Sequence, residues 1–355
     1  MANAPGVGIR ISIVVACRNE RNAIHDLLRS ILAQDLAEPW EVIIADGMSD
    51  DGTREILAEY RAKYPWLKII DNSLFIVSTG LNAAIRAAQG EIIIRMDGHT
   101  QYAPNYCRTC IDTLDRTGAD NVGGPARTKG RGVLGCAVAA AFHSPFSTGG
   151  AKFHNPSYRG WVDTVPYGCW RKSVLEKVGM FDEHLIRNQD DELNLRLRRS
   201  GGRIWQDPSI VSWYSPRSNL SNLFHQYFQY GYWKVAVIRK HRLPSSIRHL
   251  IPVLWVLMNV LLATAMAVTS VAHLQLRLVE VVTFWLTTTA LYLAAAMTAA
   301  TFAAKNQWLI FPCLPLVFAT YHLSYGLGFA MGLIHFRSSP VTISNLQRSF
   351  ARITR

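Results

Sequence analysis

Four short stretches carry residue types that could do chemistry. Asp97-Gly-His99 follows the apolar run Glu91-Ile-Ile-Ile-Arg-Met96. A carboxylate at a strand end, with an imidazole two residues on, can hold one divalent cation and leave positions open for phosphate oxygens. Gly98 lets the backbone approach such a ligand closely. Asp-Gly pairs also make ordinary turns, so the weight of this motif comes from its place behind a strand. Asp46, in Ile43-Ile-Ala-Asp-Gly-Met-Ser-Asp-Asp-Gly-Thr53, ends a second apolar run. It could accept from a base N–H or a ribose hydroxyl, while Asp51 or Ser49 caps the helix that starts near Thr53. Glu20, in Cys17-Arg-Asn-Glu20, could line the same cleft or serve as a first-turn helix acid. Asp190, in Asn188-Gln-Asp-Asp-Glu-Leu193, opens a helix beside Asp191 and Glu192. Like charge raises its pKa and the helix N-terminus opposes that, so it reads as a general base or as a first-turn acid.

The elements that must position these residues follow from periodicity. Strand patterns at 9–15, 41–45, 67–70 and 91–96 alternate with helical spacing at 21–34, 53–63 and 79–88. This alternation predicts an α/β fold, with a mostly parallel sheet covered by helices on both faces. Ligands in such sheets bind beyond the carboxyl ends of the strands, where Asp46 and Asp97 stand. Residues 120–165, rich in Gly, Ala and Ser, read as loops with a short helix near Val133–Ala141. A second chemical region runs from Tyr167 to Trp205, and its helix, Asp191 to Arg199, is closed by Gly201-Gly202.

Charge almost vanishes after Arg248. Of 37 Lys/Arg and 25 Asp/Glu, only Arg277, Lys305, Arg337, Arg348, Arg352, Arg355 and Glu280 lie beyond it. The uncharged stretches 250–274, 281–304 and 308–336 each exceed the roughly 20 residues that cross about 30 Å of hydrocarbon. They predict membrane helices rather than a buried soluble core. The basic cluster Lys234, Arg239, Lys240, Arg242 and Arg248 precedes the first stretch and suits lipid headgroups. No RNA-binding aromatic signature or zinc-finger spacing points to nucleic acid. That cluster places the N-terminal part inside the cell. Three crossings would leave the basic tail outside, against the same rule, whereas Pro312 and Pro315 would permit a re-entrant last segment, so the crossing count stays open. The six cysteines lack disulfide-framework spacing, as suits a reducing cytoplasm, and the lone Cys107-Arg-Thr-Cys110 pair has no second pair to complete a metal site. The N-terminus reaches its first strand without a signal-peptide pattern.

A cation for phosphates, an acid for a nucleoside and a base for a hydroxyl are what sugar transfer from a nucleotide diphosphate demands. In order and spacing, the motifs over about residues 9–243 resemble glycosyltransferase family 2, of the GT-A fold. Val15-Ala-Cys-Arg-Asn-Glu20 is similar to its opening nucleotide-binding motif, and Asp46 to Thr53 to its "DDGSxDGT" element, with Gly47 where many members have Asp. Asp97-Gly-His99 stands where the family's DxD lies, and Gln189-Asp190 where its "ED" lies. Tyr167-Gly-Cys-Trp-Arg-Lys-Ser with Val178-Gly-Met-Phe-Asp-Glu183 resembles its acceptor region. The forms "DGMSDDGT", "DGH" and "DDELNLRLRRSG" look most like succinoglycan-type glucosyltransferases of exopolysaccharide synthesis.

The resemblance implies a GT-A domain over 1–243, transmembrane helices over 244–336 and a basic tail over 337–355. It implies Asp190 as catalytic base, and Cys17, Arg18, Glu20, Asp46 and Asp97 around a UDP-sugar. Asp97 and His99 would take Mg²⁺ or Mn²⁺, and Tyr167, Gly168, Trp170 and Gln226 would contact the acceptor. Trp205 and Trp213 offer further stacking faces. The implied reaction is inverting hexosyl transfer to a polyprenyl-linked saccharide at the inner membrane, with a polysaccharide-synthesis complex as partner. Three departures qualify it: His99 for the second DxD acid, Gln189 for Glu, and Gln226-Tyr-Phe-Gln229-Tyr230 for the "QxxRW" of processive synthases. The last favours single addition over polymerisation. Competing readings are a polyprenyl-phosphate glycosyltransferase, a non-catalytic nucleotide-sugar-binding subunit and, more weakly, a transporter, whose coupling acids the apolar runs lack.

Overall fold

The computed structural model describes residues 8–244 and 246–338. They divide into two compact units, one built from 8–127 with 152–215, the other from 128–151 with 216–338.

The first unit opens with β1 (Ile11–Cys17), α1 (Ile24–Leu32), β2 (Trp40–Asp46), α2 (Thr53–Lys63), β3 (Leu67–Asp71), α3 (Val77–Ala87) and β4 (Ile92–Asp97). After β5 (Thr100–Tyr102) and α4 (Tyr106–Thr117) comes β6 (Asn121–Gly123). The second unit takes up α5 (Gly132–Phe142) and α6 (Pro145–Thr148). The chain returns through β7 (Gly160–Val162), β8 (Cys169–Arg171), α7 (Lys172–Val178), α8 (Gln189–Arg199), β9 (Ile204–Gln206) and β10 (Ser212–Tyr214).

The main sheet has the order β3-β2-β1-β4-β8-β6-β9-β7, with β5 and β10 as a separate ribbon. Its first four strands are parallel, as the alternation predicts. The far half is mixed, since β8 runs antiparallel to β4 and β7 to β9. Every residue of β1 is buried. Alternation sends Ile11, Ile13 and Val15 against Ile24, Leu27, Leu28 and Ile31 of α1. It sends Val14 and Ala16 against Leu81, Ala84 and Ile85 of α3. Truncating one such residue, Leu28→Ala for example, costs about 2–5 kcal/mol.

This packing fixes the register that matters. Cys17 pairs with Asp46, and Ala16 with Asp97, so both acids leave the sheet at one edge.

The second unit adds α9 (Leu220–His241), α10 (Ile251–Val271), α11 (Gln275–Ala304) and α12 (Leu314–Ser338). Among the described residues three helices, Ile247–Val271, Gln275–Ala304 and Trp308–Arg337, are long and apolar enough to cross a membrane. The second begins earlier than the apolar stretch predicts and takes in Arg277 and Glu280, an exposed pair 3.0 Å apart one helical turn from each other. Leu254, Leu261, Val268, Leu276 and Phe302 are exposed on α10 and α11, as lipid-facing surfaces require.

Helix α9, expected with the sheet, groups instead with the apolar helices. Glycines allow this: a Cβ on Gly231 would lie 2.1 Å from the Tyr325 carbonyl oxygen, and one on Gly328 2.0 Å from that of Phe228. Within the basic cluster, Arg239, Lys240 and Arg242 are exposed while Lys234 is buried. Beyond Ser338 the basic tail lies outside the described residues.

Candidate active site

The loops after β1 and β2 clasp each other. Asn19 N–H donates to Ser49 Oγ (2.9 Å) and its amide to Asp50 Oδ1 (2.8 Å), and Asp50 N–H returns a bond to Asn19 Oδ1 (3.0 Å). Glu20 N–H reaches Thr53 Oγ1 at 2.9 Å, and Arg21 N–H reaches Asp51 Oδ2 at 3.0 Å. Asp51 thus ties the two loops while its Oδ1 accepts from Thr53 N–H and Oγ1 at the start of α2.

Asp46 is completely buried. Its Oδ1 accepts from Ser49 Oγ (2.5 Å), and its Oδ2 from Ser49 N–H (3.0 Å) and Arg54 Nη1 (3.1 Å). Asp46 therefore organises this loop, with Cys17 Sγ 4.0 Å from its Oδ1. Burial pushes the Cys17 thiol pKa well up, with Asp46 and Glu20 adding, so the thiol stays neutral. Arg18 lies 4.6 Å over the Phe75 ring. Gly47 gives it room, since a Cβ there would come 3.0 Å from the Arg18 side chain.

The Asp97 corner lies across the edge. Asp97 N–H donates to Tyr102 Oη at 2.6 Å, and Gly98 N–H to Asp97 Oδ1 at 3.1 Å. His99 Nδ1 is 3.8 Å from Asp97 Oδ1 and 3.7 Å from Glu20 Oε1. Asp97 and His99 are each about a quarter exposed, at 23% and 24%. The Asp97 carboxylate with this access suits a hard cation such as Mg²⁺ or Mn²⁺, while the His99 imidazole, a softer donor, favours a first-row transition ion. No set of three His, Cys, Asp or Glu among the described residues closes a cage by itself. A cation here would share its sphere with phosphate oxygens.

Asp190 stands at the start of α8, behind Asn188 at φ 61°. Arg95, on β4 and 4% exposed, donates from Nη1 to Asp190 Oδ1. Burial pushes the Asp190 carboxyl above its usual range, and Arg95 only partly opposes this. Burial works to lower the Arg95 pKa, but Asp190 and Asp97 together hold it above the usual guanidinium value. Motif reading missed Arg95. Its signal was the period of two that puts residues 95 and 97 on one face of a strand.

The acceptor candidates separate. Tyr167 Oη bonds Thr100 Oγ1 at 2.7 Å, one β-ribbon residue from His99. Tyr167 and Gly168 both have positive φ, 61° and 108°, a conformation that suits glycine and strains tyrosine. At Gly168 a Cβ would meet the Trp170 ring at 2.4 Å. Trp170 itself is 2% exposed and packs edge-on to Phe181, so it forms the floor and presents no stacking face. Trp205 packs edge-on to Trp161 at 4.9 Å, and Trp213 lies on β10, paired with Gln101. Gln226 belongs to the second unit, where its amide donates to Tyr230 Oη at 3.1 Å. Cys107 and Cys110 are buried in the core with Cys169.

With this geometry in hand, the chain was compared with known proteins. The family described as Glycosyl transferase family 2 matches residues 12–179. The succinoglycan biosynthesis protein ExoA of Rhizobium meliloti (strain 1021) is 33% identical over 242 residues, 68% of this chain and 73% of that protein. A dolichyl N-acetyl-alpha-D-glucosaminyl phosphate 3-beta-D-2,3-diacetamido-2,3-dideoxy-beta-D-glucuronosyltransferase of Methanococcus voltae is 29% identical, covering 65% of this chain and 74% of that one. Among solved structures, a mannosyltransferase of Pyrobaculum calidifontis in complex with GDP-Man and Mn²⁺ superposes with a TM-score of 0.56. It is 18% identical and covers 93% of this chain and 89% of its own.

Proposed function

The chain belongs to glycosyltransferase family 2, and from that premise we propose that it moves a hexose, glucose by the resemblance, from a UDP-sugar to a polyprenyl-linked saccharide during cell-surface polysaccharide assembly. The similarity to ExoA supports an exopolysaccharide setting, and the similarity to the dolichyl-linked transferase supports a lipid-linked acceptor. The apolar helices support a membrane-associated enzyme. Exposed Arg239, Lys240 and Arg242 ahead of α10 support placing the sheet-bearing unit on the cytoplasmic side of the inner membrane.

The observation that carries the reading is that one buried arginine links the Asp97 strand to Asp190. That link supports placing the candidate phosphate corner and the candidate base in one site. Asp190 takes the proton of the acceptor hydroxyl. The acceptor oxygen forms a bond to the anomeric carbon as the bond to the diphosphate oxygen breaks, and the nucleoside diphosphate leaves with the electron pair. Asp97 and His99 would hold Mg²⁺ or Mn²⁺, which when bound offsets charge on the departing diphosphate. Arg18 and Glu20 line the nucleotide side, and Asp46 acts there through the loop it holds. Tyr167 and Gly168 shape the acceptor side.

The test is turnover of a nucleotide-sugar panel by detergent-solubilised full chain, with membrane-extracted lipid acceptors, with and without EDTA. The reading expects transfer from one UDP-hexose that EDTA abolishes. UDP binding without turnover of any donor would instead make the chain a binding subunit.

A further inference from the structure

No motif explains the position of Arg95. A buried guanidinium is costly unless paired, and a buried ion pair adds little net stability over an apolar substitute. The surroundings here are apolar: the Phe181 ring lies 5.7 Å away, with Trp170 and Leu193 buried in the same cluster. The strand beneath is fixed as well, because Arg95 N–H donates to the Gly168 carbonyl at 3.1 Å. Its side chain shares a face of β4 with Asp97 and ends on Asp190 Oδ1. The Asp190 side chain keeps 35% of its surface, and its Oδ2 takes no hydrogen bond from the described residues.

We infer that Arg95 is a positioning residue: by holding Asp190 through Oδ1 it presents Oδ2 to the acceptor hydroxyl, at a direction fixed relative to the Asp97 corner where the diphosphate departs. Arginine suits this role better than lysine, because its rigid planar guanidinium donates to Oδ1 in a fixed direction, whereas an ammonium rotates. The inference rests on the reading of Asp190 as the base.

The experiment compares full-length wild type with Arg95→Lys, Arg95→Met and Asp190→Asn. UDP-glucose is the donor, lipid-linked saccharides extracted from membranes are the acceptor, and UDP affinity and thermal unfolding are measured alongside. Misplacing a base by about 1 Å costs about 10²-fold in rate. Arg95→Met should therefore lower kcat about 100-fold and Arg95→Lys about 10-fold. Donor KM and UDP affinity should stay within about threefold, the split a general structural lesion would not give. Should Arg95→Met fail to fold, Arg95→Lys alone decides. Wild-type kcat in a folded Arg95 variant, or loss of UDP affinity in step with kcat, overturns the inference. An active Asp190→Asn overturns the underlying reading instead, whereas an inactive Asp190→Asn beside fully active Arg95 variants overturns the positioning role alone.

Discussion

Asp46 and Asp190 are both carboxylates beside the same sheet edge, yet their surroundings differ in kind. Asp46 is wholly buried, with Ser49 and Arg54 on its two oxygens. Asp190 keeps 35% of its surface and is held on one oxygen by Arg95. A carboxylate whose lone pairs are taken by its own loop can organise structure but has little capacity left for a ligand. One held on a single oxygen, with the other left open, has both a fixed direction and an oxygen to which a proton can go. The lesson is that an acid's place in a motif marks the site, whereas its hydrogen-bond inventory marks its task.

That contrast is open to being broken. Asp190→Asn should lower transfer about 10³-fold in steady-state kinetics while UDP affinity holds. A smaller loss, about 10²-fold, is expected for Asp97→Ala, together with weaker Mn²⁺ binding measured by titration. Asp46→Ala should act mainly on folding, lowering stability in urea unfolding by about 1–3 kcal/mol, because Ser49 and Arg54 lose their acceptor. Wild-type stability in that variant would erase the distinction.

The subtlest expected effect is on pH dependence, where the structural and chemical acids should move in opposite directions. Glu41 is buried on β2, which works to raise its pKa, but Lys68 at 2.6 Å, Gln89 N–H and Ser12 outweigh this and lower it. Its folded pKa lies below the unfolded one, so its contribution is present above the unfolded value and lost as pH falls through the folded value. Unfolding measured against pH should show that loss below the usual glutamate range, and Glu41→Gln should remove it. Asp190 has the opposite sign: burial raises it, Arg95 opposes, and Asp97 and Asp191 add to the rise. The acid limb of kcat should therefore lie above the ordinary carboxylate range, with activity lost as pH falls through it.

Much of the parallel half of the sheet was legible, because β1 to β4 alternate with helices and put Asp46 and Asp97 at strand ends by period alone. The far half was not. Strands β6 to β9 are three residues each, set among Gly-rich turns, too short for alternation to register. Trp170 read as a stacking face because composition cannot tell a buried indole from an exposed one, and only the pairing of β8 with β4 places it under the site. Helix α9 looked like the end of the catalytic domain, since its polar character hides the glycine contacts that seat it on α12. Arg95 was missed because its role exists only once α8 is folded against β4.

On the proposed reading, one displacement at the anomeric carbon with Asp190 as the base would fix the stereochemistry. The anomeric configuration of the newly formed linkage, read by proton NMR after transfer from an α-linked UDP-hexose, tests that claim most directly. A β-linked product is predicted. An α-linked product would mean retention, by double displacement or by attack on the leaving group's own face, and would contradict the account.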